Sequence, residues 1–207
     1  DAPPKQRLAG LLGMAGIASG RGEIDKALSL LADAQPLAQS QEERAHLALM
    51  RGNTHYRAEQ FEQAVHAYDA GLALGDVAIG WVVQLTVGLA NTGFRLAQYD
   101  GAAALYEAAR QIAAKIGSEI GAAELAAWQG ESLRRAGKRE EAANVWSGAL
   151  QALADDPAFE ADIQQLRANL LERLARLRSE QGDAGQASTL REQVKHCGCA
   201  PVVLERP

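Results

Sequence analysis

Aromatic residues are scarce in this sequence, and β-branched residues never alternate with polar ones along a run. Phe, Trp and Tyr together make up 5% of the 207 residues, whereas Ala and Leu are abundant. Strands favour aromatic and β-branched side chains at alternating positions, so these two absences argue against a β-rich fold. The composition predicts an all-α chain.

The sequence also lacks an excess of basic residues and lacks long apolar runs. Its formal net charge is −5, and this argues against a nucleic-acid partner because phosphate binding needs a concentrated basic surface. A membrane-spanning helix needs roughly 18–20 apolar residues in succession. The nearest run, residues 77–89, is interrupted by Gln84 and Thr86. We therefore expect no transmembrane segment.

The usual enzyme motifs are missing as well. We find no glycine-rich phosphate loop, no nucleophile elbow and no helix with paired histidines. The sequence has four histidines, His46, His55, His66 and His196. His55 and His66 lie on predicted facing helices, but no third metal ligand is predicted beside them. The sequence predicts a non-enzyme with no catalytic residues and no cofactor.

Cysteine occurs twice, at Cys197 and Cys199, directly after His196. Three ligands fall short of the four that a closed zinc site normally needs. The favoured interpretation is a tail whose cysteines are incidental. A local disulfide is the next interpretation, and binding of a soft metal by His196, Cys197 and Cys199 is the last.

What the sequence does contain is a repeated helical pattern, which is clearest at residues 51–72. Two amphipathic segments meet there across a short break at residues 58–60. Gly52 and Ala64 supply small side chains at the positions where the two helices of a hairpin touch. The stretch resembles a tetratricopeptide repeat (TPR). The residues that carry this resemblance are Gly52, Asn53, Tyr56, Phe61, Ala64, Tyr68 and Leu72. Gly71 departs from it, because the family usually has alanine there.

The small residue of each second helix sets the register of the repeats, at Ala27, Ala64, Ala102, Ala142 and Ala187. These alanines are 37, 38, 40 and 45 residues apart, against about 34 in the family. We therefore predict a divergent array with elongated repeats, of probable bacterial origin. The predicted hairpins cover about residues 6–39, 42–74, 77–116, 119–154 and 158–195.

The resemblance implies a right-handed solenoid of five hairpins, or about ten helices, in one domain covering residues 1–195. The last hairpin is expected to open after an acidic cap and a proline at residues 155–157. The tail, residues 196–207, has two prolines and no helical period. It either folds back over the last helix or stays mobile.

In the family, the first helices of the hairpins line a concave groove that binds a peptide or a partner helix. The resemblance implies that Asn53 and Asn91 point into this groove, with Arg57 and Arg95 one helical turn further on. Asparagine would grip a peptide backbone and arginine a carboxylate, with Tyr56 and Phe94 beside them. In the fourth hairpin, Glu131 and Arg135 take these places.

A second feature of the same groove is apolar. The residues one turn before those positions are Leu12, Leu49, Val87 and Ala127, with Trp81 nearby. Gly10, Gly13 and Gly16 make the first helix narrow, so that a backbone or a flat ligand can approach it closely. Dense packing between repeats explains the same residues, and only their exposure distinguishes the two interpretations.

These observations favour a non-catalytic binding or scaffold module with a protein or peptide partner. The alternative is a carrier of a hydrophobic, lipid-like molecule in a bacterial envelope or transport system. The sequence starts with Asp1 and two prolines soon after, which suits both a removed export signal and a cloning boundary. The expected location is the bacterial periplasm or envelope, with the cytoplasm as the alternative.

Overall fold

The computed structural model describes residues 3–153, 160–203 and 207. These residues form ten α-helices and no β-strand, which confirms the predicted all-α class. The helices are α1 (Pro4–Gly20), α2 (Ile24–Ala34), α3 (Gln41–Arg57), α4 (Phe61–Leu72), α5 (Ile79–Arg95), α6 (Tyr99–Lys115), α7 (Glu119–Arg135), α8 (Arg139–Ala152), α9 (Glu160–Glu180) and α10 (Ala184–His196). The expected cap at residues 155–157 lies outside the described residues.

The chain divides into two compact units, Asp1–Leu96 and Ala97–Pro207. In the first unit α1 packs on α2, α3 on α4, and α4 on α5, while α3 also contacts α1, α2 and α5. In the second unit α6 packs on α7, α7 on α8, α8 on α9, and α9 on α10. The single repeat domain predicted for residues 1–195 stays a prediction.

One turn geometry recurs after α1, α3, α5, α7 and α9. In each case the second residue beyond the helix has a positive φ, at Gly22, Glu59, Ala97, Gly137 and Gly182. Glycine adopts this left-handed conformation without steric cost, whereas other residues do so at roughly 1–2 kcal/mol. Glu59 and Ala97, both with φ of 58°, are the two turns where that cost applies.

Tyr68 of α4 is the centre of the packing in the first unit. Its side chain is 1% exposed and lies against two glycines on other helices, Gly52 of α3 and Gly88 of α5. A Cβ added to Gly52 would be 2.3 Å from the Tyr68 ring, and one added to Gly88 would be 2.5 Å from it. Glycine at these two positions therefore makes the room that Tyr68 fills.

The departure from the family at Gly71 has a similar cause. A Cβ added to Gly71 would lie 2.7 Å from a methyl carbon of Leu85, which is fully buried. The alanine that the family usually carries would collide with Leu85 of α5. Gly71 thus permits α4 and α5 to approach each other closely.

The second unit repeats the glycine–aromatic contact. Gly130 of α7 faces Trp146 of α8, and a Cβ there would be 2.2 Å from the indole nitrogen. The Trp146 N–H donates to the carbonyl oxygen of Ala127 at 3.1 Å. Gly130 and Trp146 are 16 residues apart, as are Gly52 and Tyr68, so the two contacts occupy the same place in their hairpins.

Several predicted helix boundaries need correction. Helix α2 ends at Ala34, not near Gln39, and a 3₁₀ turn follows at Gln35–Leu37, because Pro36 has no N–H to continue the helical hydrogen bonds. Helix α5 begins at Ile79, two residues later than expected. The Ala78 N–H donates instead to the Glu42 carboxylate at 2.7 Å. Helix α10 runs one residue further, to His196.

The described part of the tail folds back and forms hydrogen bonds with α9. Gln165 of α9 donates to the Ala200 carbonyl oxygen at 2.8 Å, and Asn169 accepts from the Val202 N–H at 2.5 Å. Cys197 and Cys199 also pack against a small apolar cluster of Ala168, Leu171 and Val194, from α9 and α10. Within the part of the chain that the structure describes, no helix has both the length and the apolar composition for crossing a membrane.

Candidate functional site

A groove runs between α1 and α3 in the first unit, with a cavity volume of about 660 Å³. Apolar side chains and glycines form most of its wall, with Lys5, Glu43 and His46 as its ionisable members; the apolar members are Leu8, Ala9, Leu12, Gly13, Gly16, Ile17 and Met50. Ile17 is 59% exposed. The contiguous apolar wall, with Ile17 at its surface, is typical of a binding groove.

The glycines of α1 keep the groove open. A Cβ added to Gly10 or Gly13 would meet no atom within 4 Å, and one added to Gly16 would touch only the Met50 methyl at 3.2 Å. The packing of this chain therefore does not require glycine at positions 10 and 13. Of these two glycines, Gly13 lines the groove and leaves the backbone of α1 uncovered there.

The predicted apolar floor divides into two groups. Leu12 lines the groove but is only 6% exposed and packs in the core with Leu8 and Leu31. Leu49 is buried as well, with Ala64, Tyr68 and Leu85. Ala127 is likewise buried in the core of the second unit. Packing between helices accounts for Leu49 and Ala127. Val87 and Trp81 are half-buried, and Trp81 stacks on His46 with ring centroids 5.0 Å apart.

Asn53 is exposed on α3, and a hydrogen bond from the buried Tyr68 orients its side-chain amide. The Tyr68 hydroxyl donates to Oδ1 of Asn53 at 2.8 Å. Because this bond turns the amide oxygen towards Tyr68, the NH₂ group of Asn53 is the end of the amide available to a ligand. Burial raises the pKa of the Tyr68 hydroxyl far above its usual value, so the hydroxyl keeps its proton and remains a donor.

Arg57 and Arg95, expected to act alike, differ in their surroundings. Arg57 is exposed, and its guanidinium is close to Gly20 at the end of α1, 3.6 Å from where a Cβ would lie. Arg95 forms an ion pair with Glu59 and lies over the rings of Tyr56 and Phe61, at 5.6 and 5.0 Å from their centroids. Arg95 thus secures the α3–α4 turn, where Glu59 has its positive φ.

The second predicted asparagine is less accessible than the first. Asn91 is half-buried and Phe94 is buried. Tyr56 is half-buried as well, and burial raises the pKa of its hydroxyl despite the hydrogen bond with Arg95. Among the predicted peptide-binding residues, Asn53 and Arg57 therefore present the most accessible polar groups.

In the second unit, the asparagine position is taken by a buried carboxylate. Glu131 is 4% exposed and accepts hydrogen bonds from Arg134 at 2.8 Å, Arg135 at 3.0 Å and Arg173 at 3.4 Å. Burial alone would raise the pKa of Glu131, but the hydrogen bonds and charges of these arginines lower it overall. Arg134 also pairs with Glu180 at 3.0 Å. This network joins α7 to α9.

The histidines and cysteines form separate contacts. Nδ1 of His55 is 2.7 Å from the Gln60 side-chain oxygen, and His66 is exposed. Nδ1 of His196 is 2.7 Å from the Glu192 carbonyl oxygen. Cys197 and Cys199 are free thiols. Burial, together with the neighbouring Cys199, raises the pKa of the Cys197 thiol. Among the described residues, no three His, Cys, Asp or Glu side chains form a group suited to a metal ion.

Solved structures share this arrangement of helices. RapI matches 92% of this chain and 70% of its own, with 14% identity and a TM-score of 0.78. A putative kinesin light chain of Podosopora anserina with nearly identical TPR-like repeats matches 96% of this chain and 97% of its own, with 19% identity and a TM-score of 0.73. YrrB, described as a TPR protein with an unusual peptide-binding site, matches 90% and 84%, with 16% identity and a TM-score of 0.61.

The chain therefore has the fold of the tetratricopeptide repeat proteins, as its sequence pattern predicts. No protein-family model matches the sequence, and no curated protein matches it. The similarity to these proteins is therefore one of fold, and a ligand has to be inferred from the residues of this chain.

Proposed function

We propose that this protein is a non-catalytic binding module that holds a peptide segment of a partner protein in the groove between α1 and α3. The observation that carries the proposal is the apolar groove of about 660 Å³ with Asn53 and Arg57 on the same helix as its Met50 wall. Asn53 lies three residues after Met50, so the two side chains share a face of α3. The peptide-binding site of YrrB, a protein of the same fold, is consistent with this role.

The apolar groove and the polar residues contribute to peptide recognition in different ways. Apolar side chains of the peptide pack on Leu12, Ile17 and Met50, and this burial supplies most of the affinity. The Asn53 NH₂ group donates to a backbone carbonyl of the peptide, since the hydrogen bond from Tyr68 turns the amide oxygen towards that residue. Arg57, at the end of the groove, forms a charge-assisted hydrogen bond with a carboxylate of the peptide.

A second candidate is an apolar small molecule, because the groove wall is mainly apolar. Such a ligand needs the exposed side chain of Ile17 and the open space at Gly13 but not the amide of Asn53. The two candidates therefore differ in their dependence on Asn53.

Selection from a random peptide library, followed by calorimetric titration of the selected peptides, tests the proposal. Asn53→Ala should weaken binding by a factor of about 5–150, because it leaves a peptide carbonyl unpaired. Ile17→Glu should abolish binding and leave the protein folded, since this side chain is exposed. Asn144→Ala is the matched control, because Asn144 is an exposed helix residue of the second unit. Failure to select any peptide, or selected peptides indifferent to Asn53→Ala and Ile17→Glu, would overturn the proposal.

A fluorescent fatty acid is the probe for the second candidate. Binding that Ile17→Glu abolishes and Asn53→Ala leaves unchanged supports the apolar ligand. Absence of binding by the unaltered protein eliminates it.

A further inference from the structure

The first unit has another groove, on a different side of α3. It lies between the ends of α2 and α4, with α3 as its floor, and its cavity volume is about 740 Å³. Polar and apolar atoms contribute about equally to its wall, and its apolar lining residues include Pro36, Leu47, Ala48 and Leu74. None of its lining residues belongs to the α1–α3 groove.

Two arginines supply all of the charge on this wall. Arg44 and Arg51 line the groove, and no acidic residue does. Arg44 donates through Nε to the Ala38 carbonyl oxygen at 3.3 Å, and Arg51 through Nη2 to the Gln35 side-chain oxygen at 2.9 Å. Within residues 3–153, 160–203 and 207, neither arginine forms an ion pair. A guanidinium has five N–H donors, so both retain donors for a ligand.

Two grooves at equivalent places in the second unit provide the comparison. The groove between α6 and α8, about 410 Å³, contains Lys138 paired with Asp100 at 2.8 Å, and Glu107 and Glu141 also line it. In the groove between α8 and α10, about 480 Å³, Arg178 is 3.7 Å from Glu140. Acidic residues thus pair with Lys138 and Arg178 in these two grooves. The α6–α8 groove has a second cation, Arg110, which donates to the Gln129 side-chain oxygen at 2.8 Å, and three acidic residues line the same wall. The α2–α4 groove leaves two positive charges without such a balance.

The spacing of the two arginines limits which ligands can contact both of them. Arg44 and Arg51 are seven residues apart on α3, which is about two helical turns and roughly 10 Å along one face. Leu47 and Ala48 lie between them on the same wall. A helix with two carboxylates seven residues apart and apolar side chains midway matches both features. Simple inorganic anions match the charges only, and they leave the apolar wall in water.

We propose that the α2–α4 groove is a second docking surface, which binds an acidic amphipathic helix of a partner protein. Each carboxylate of that helix pairs with one guanidinium, and the apolar residues between them pack on Leu47, Ala48 and Leu74. Charge-assisted hydrogen bonds with arginine give the register. Burial of the intervening apolar side chains adds affinity.

The probe is a labelled helical peptide with two glutamates seven residues apart and two leucines midway, titrated into the full chain by fluorescence anisotropy. Arg44→Gln and Arg51→Gln should each weaken binding about ten-fold, and the double variant about a hundred-fold. Arg139→Gln, which removes an exposed arginine of the second unit, is the matched control and should leave binding unchanged. Ile17→Glu, in the α1–α3 groove, should also leave it unchanged, which separates this proposal from the peptide site above.

A charge exchange tests the pairing even if the glutamine variants lose stability. The double variant Arg44→Glu, Arg51→Glu should bind the same peptide with lysines in place of its glutamates, and should reject the glutamate peptide. Circular dichroism checks that each variant is folded. The proposal is overturned if the unaltered protein does not bind the glutamate peptide. It is also overturned if binding persists in the double glutamine variant, or if a folded charge-exchanged variant fails to reverse the preference.

Discussion

The Tyr68 hydroxyl and the Asn53 side chain are joined by a 2.8 Å hydrogen bond between α4 and α3. One partner is buried in the core and the other is exposed on the proposed peptide-binding face. Tyr68 therefore has two roles. Its ring fills the space beside Gly52 and Gly88, and its hydroxyl fixes which end of the Asn53 amide faces the proposed ligand.

The first prediction concerns that bond. Tyr68→Phe should keep the ring in place and lower the free energy of unfolding by about 1 kcal/mol, the usual net contribution of one hydrogen bond. It should also weaken the binding of a selected peptide, because the amide of Asn53 is then free to rotate. Urea denaturation and calorimetric titration measure the two effects. Unchanged peptide affinity would show that the orientation of Asn53 does not matter.

The second prediction concerns the glycine–aromatic contacts. Gly52→Ala should destabilise the protein by about 1–3 kcal/mol or more, because a methyl group would overlap the Tyr68 ring. Gly10→Ala is the control, since an added Cβ there meets nothing within 4 Å. It should stabilise α1 by roughly 0.5–1 kcal/mol. If thermal denaturation shows equal effects for the two substitutions, steric contact with Tyr68 is not the reason for glycine at position 52.

The third prediction uses the turn at Ala97, whose φ is 58°. Ala97→Gly should raise the free energy of unfolding by about 1 kcal/mol, because glycine adopts the left-handed conformation without the Cβ clash. Ala122→Gly, in the interior of α7, should lower it by a similar amount. Equilibrium urea unfolding of both variants would reveal the opposite signs, and a loss of stability in both would contradict the argument.

The fourth prediction concerns the buried carboxylate of Glu131. Glu131→Gln should cost about 3–5 kcal/mol at neutral pH, since it leaves Arg134, Arg135 and Arg173 without their shared anion. The pKa of Glu131 is lower in the folded protein than its usual value of 4.5. Its contribution to stability is therefore present above about pH 4.5 and is lost as the pH falls through the lower, folded pKa.

Unfolding measured from pH 7 down to pH 3 separates these effects. The unaltered protein should lose more stability over this range than Glu131→Gln does, so the two curves should converge in acid. Parallel curves would mean that another carboxylate is responsible for the acid sensitivity.

Sequence alone was sufficient for the fold class. The helical period, the small residues at Gly52 and Ala64, and the 16-residue spacing from Gly52 to Tyr68 are local features, and local spacing determines which residues share a helix face. Gly22, Gly137 and Gly182 are the residue type that a left-handed turn favours, whereas Glu59 and Ala97 are not, so residue type alone does not identify those two turns. The end of α2 was predicted too late, although its cause, Pro36, is itself a local feature of the sequence.

Tertiary structure decided which residues are exposed and which are paired. Leu12 and Leu49 occupy equivalent places in the sequence pattern and both are buried, yet Leu12 also lines the α1–α3 groove, because their neighbouring helices differ. Arg57 and Arg95 are equivalent too, but Arg95 meets Glu59 and two aromatic rings. The ion-pair state of Arg44 and Arg51 depends on helices that are distant in sequence. Periodicity places a side chain on a face, and only the packing of other helices determines what that face meets.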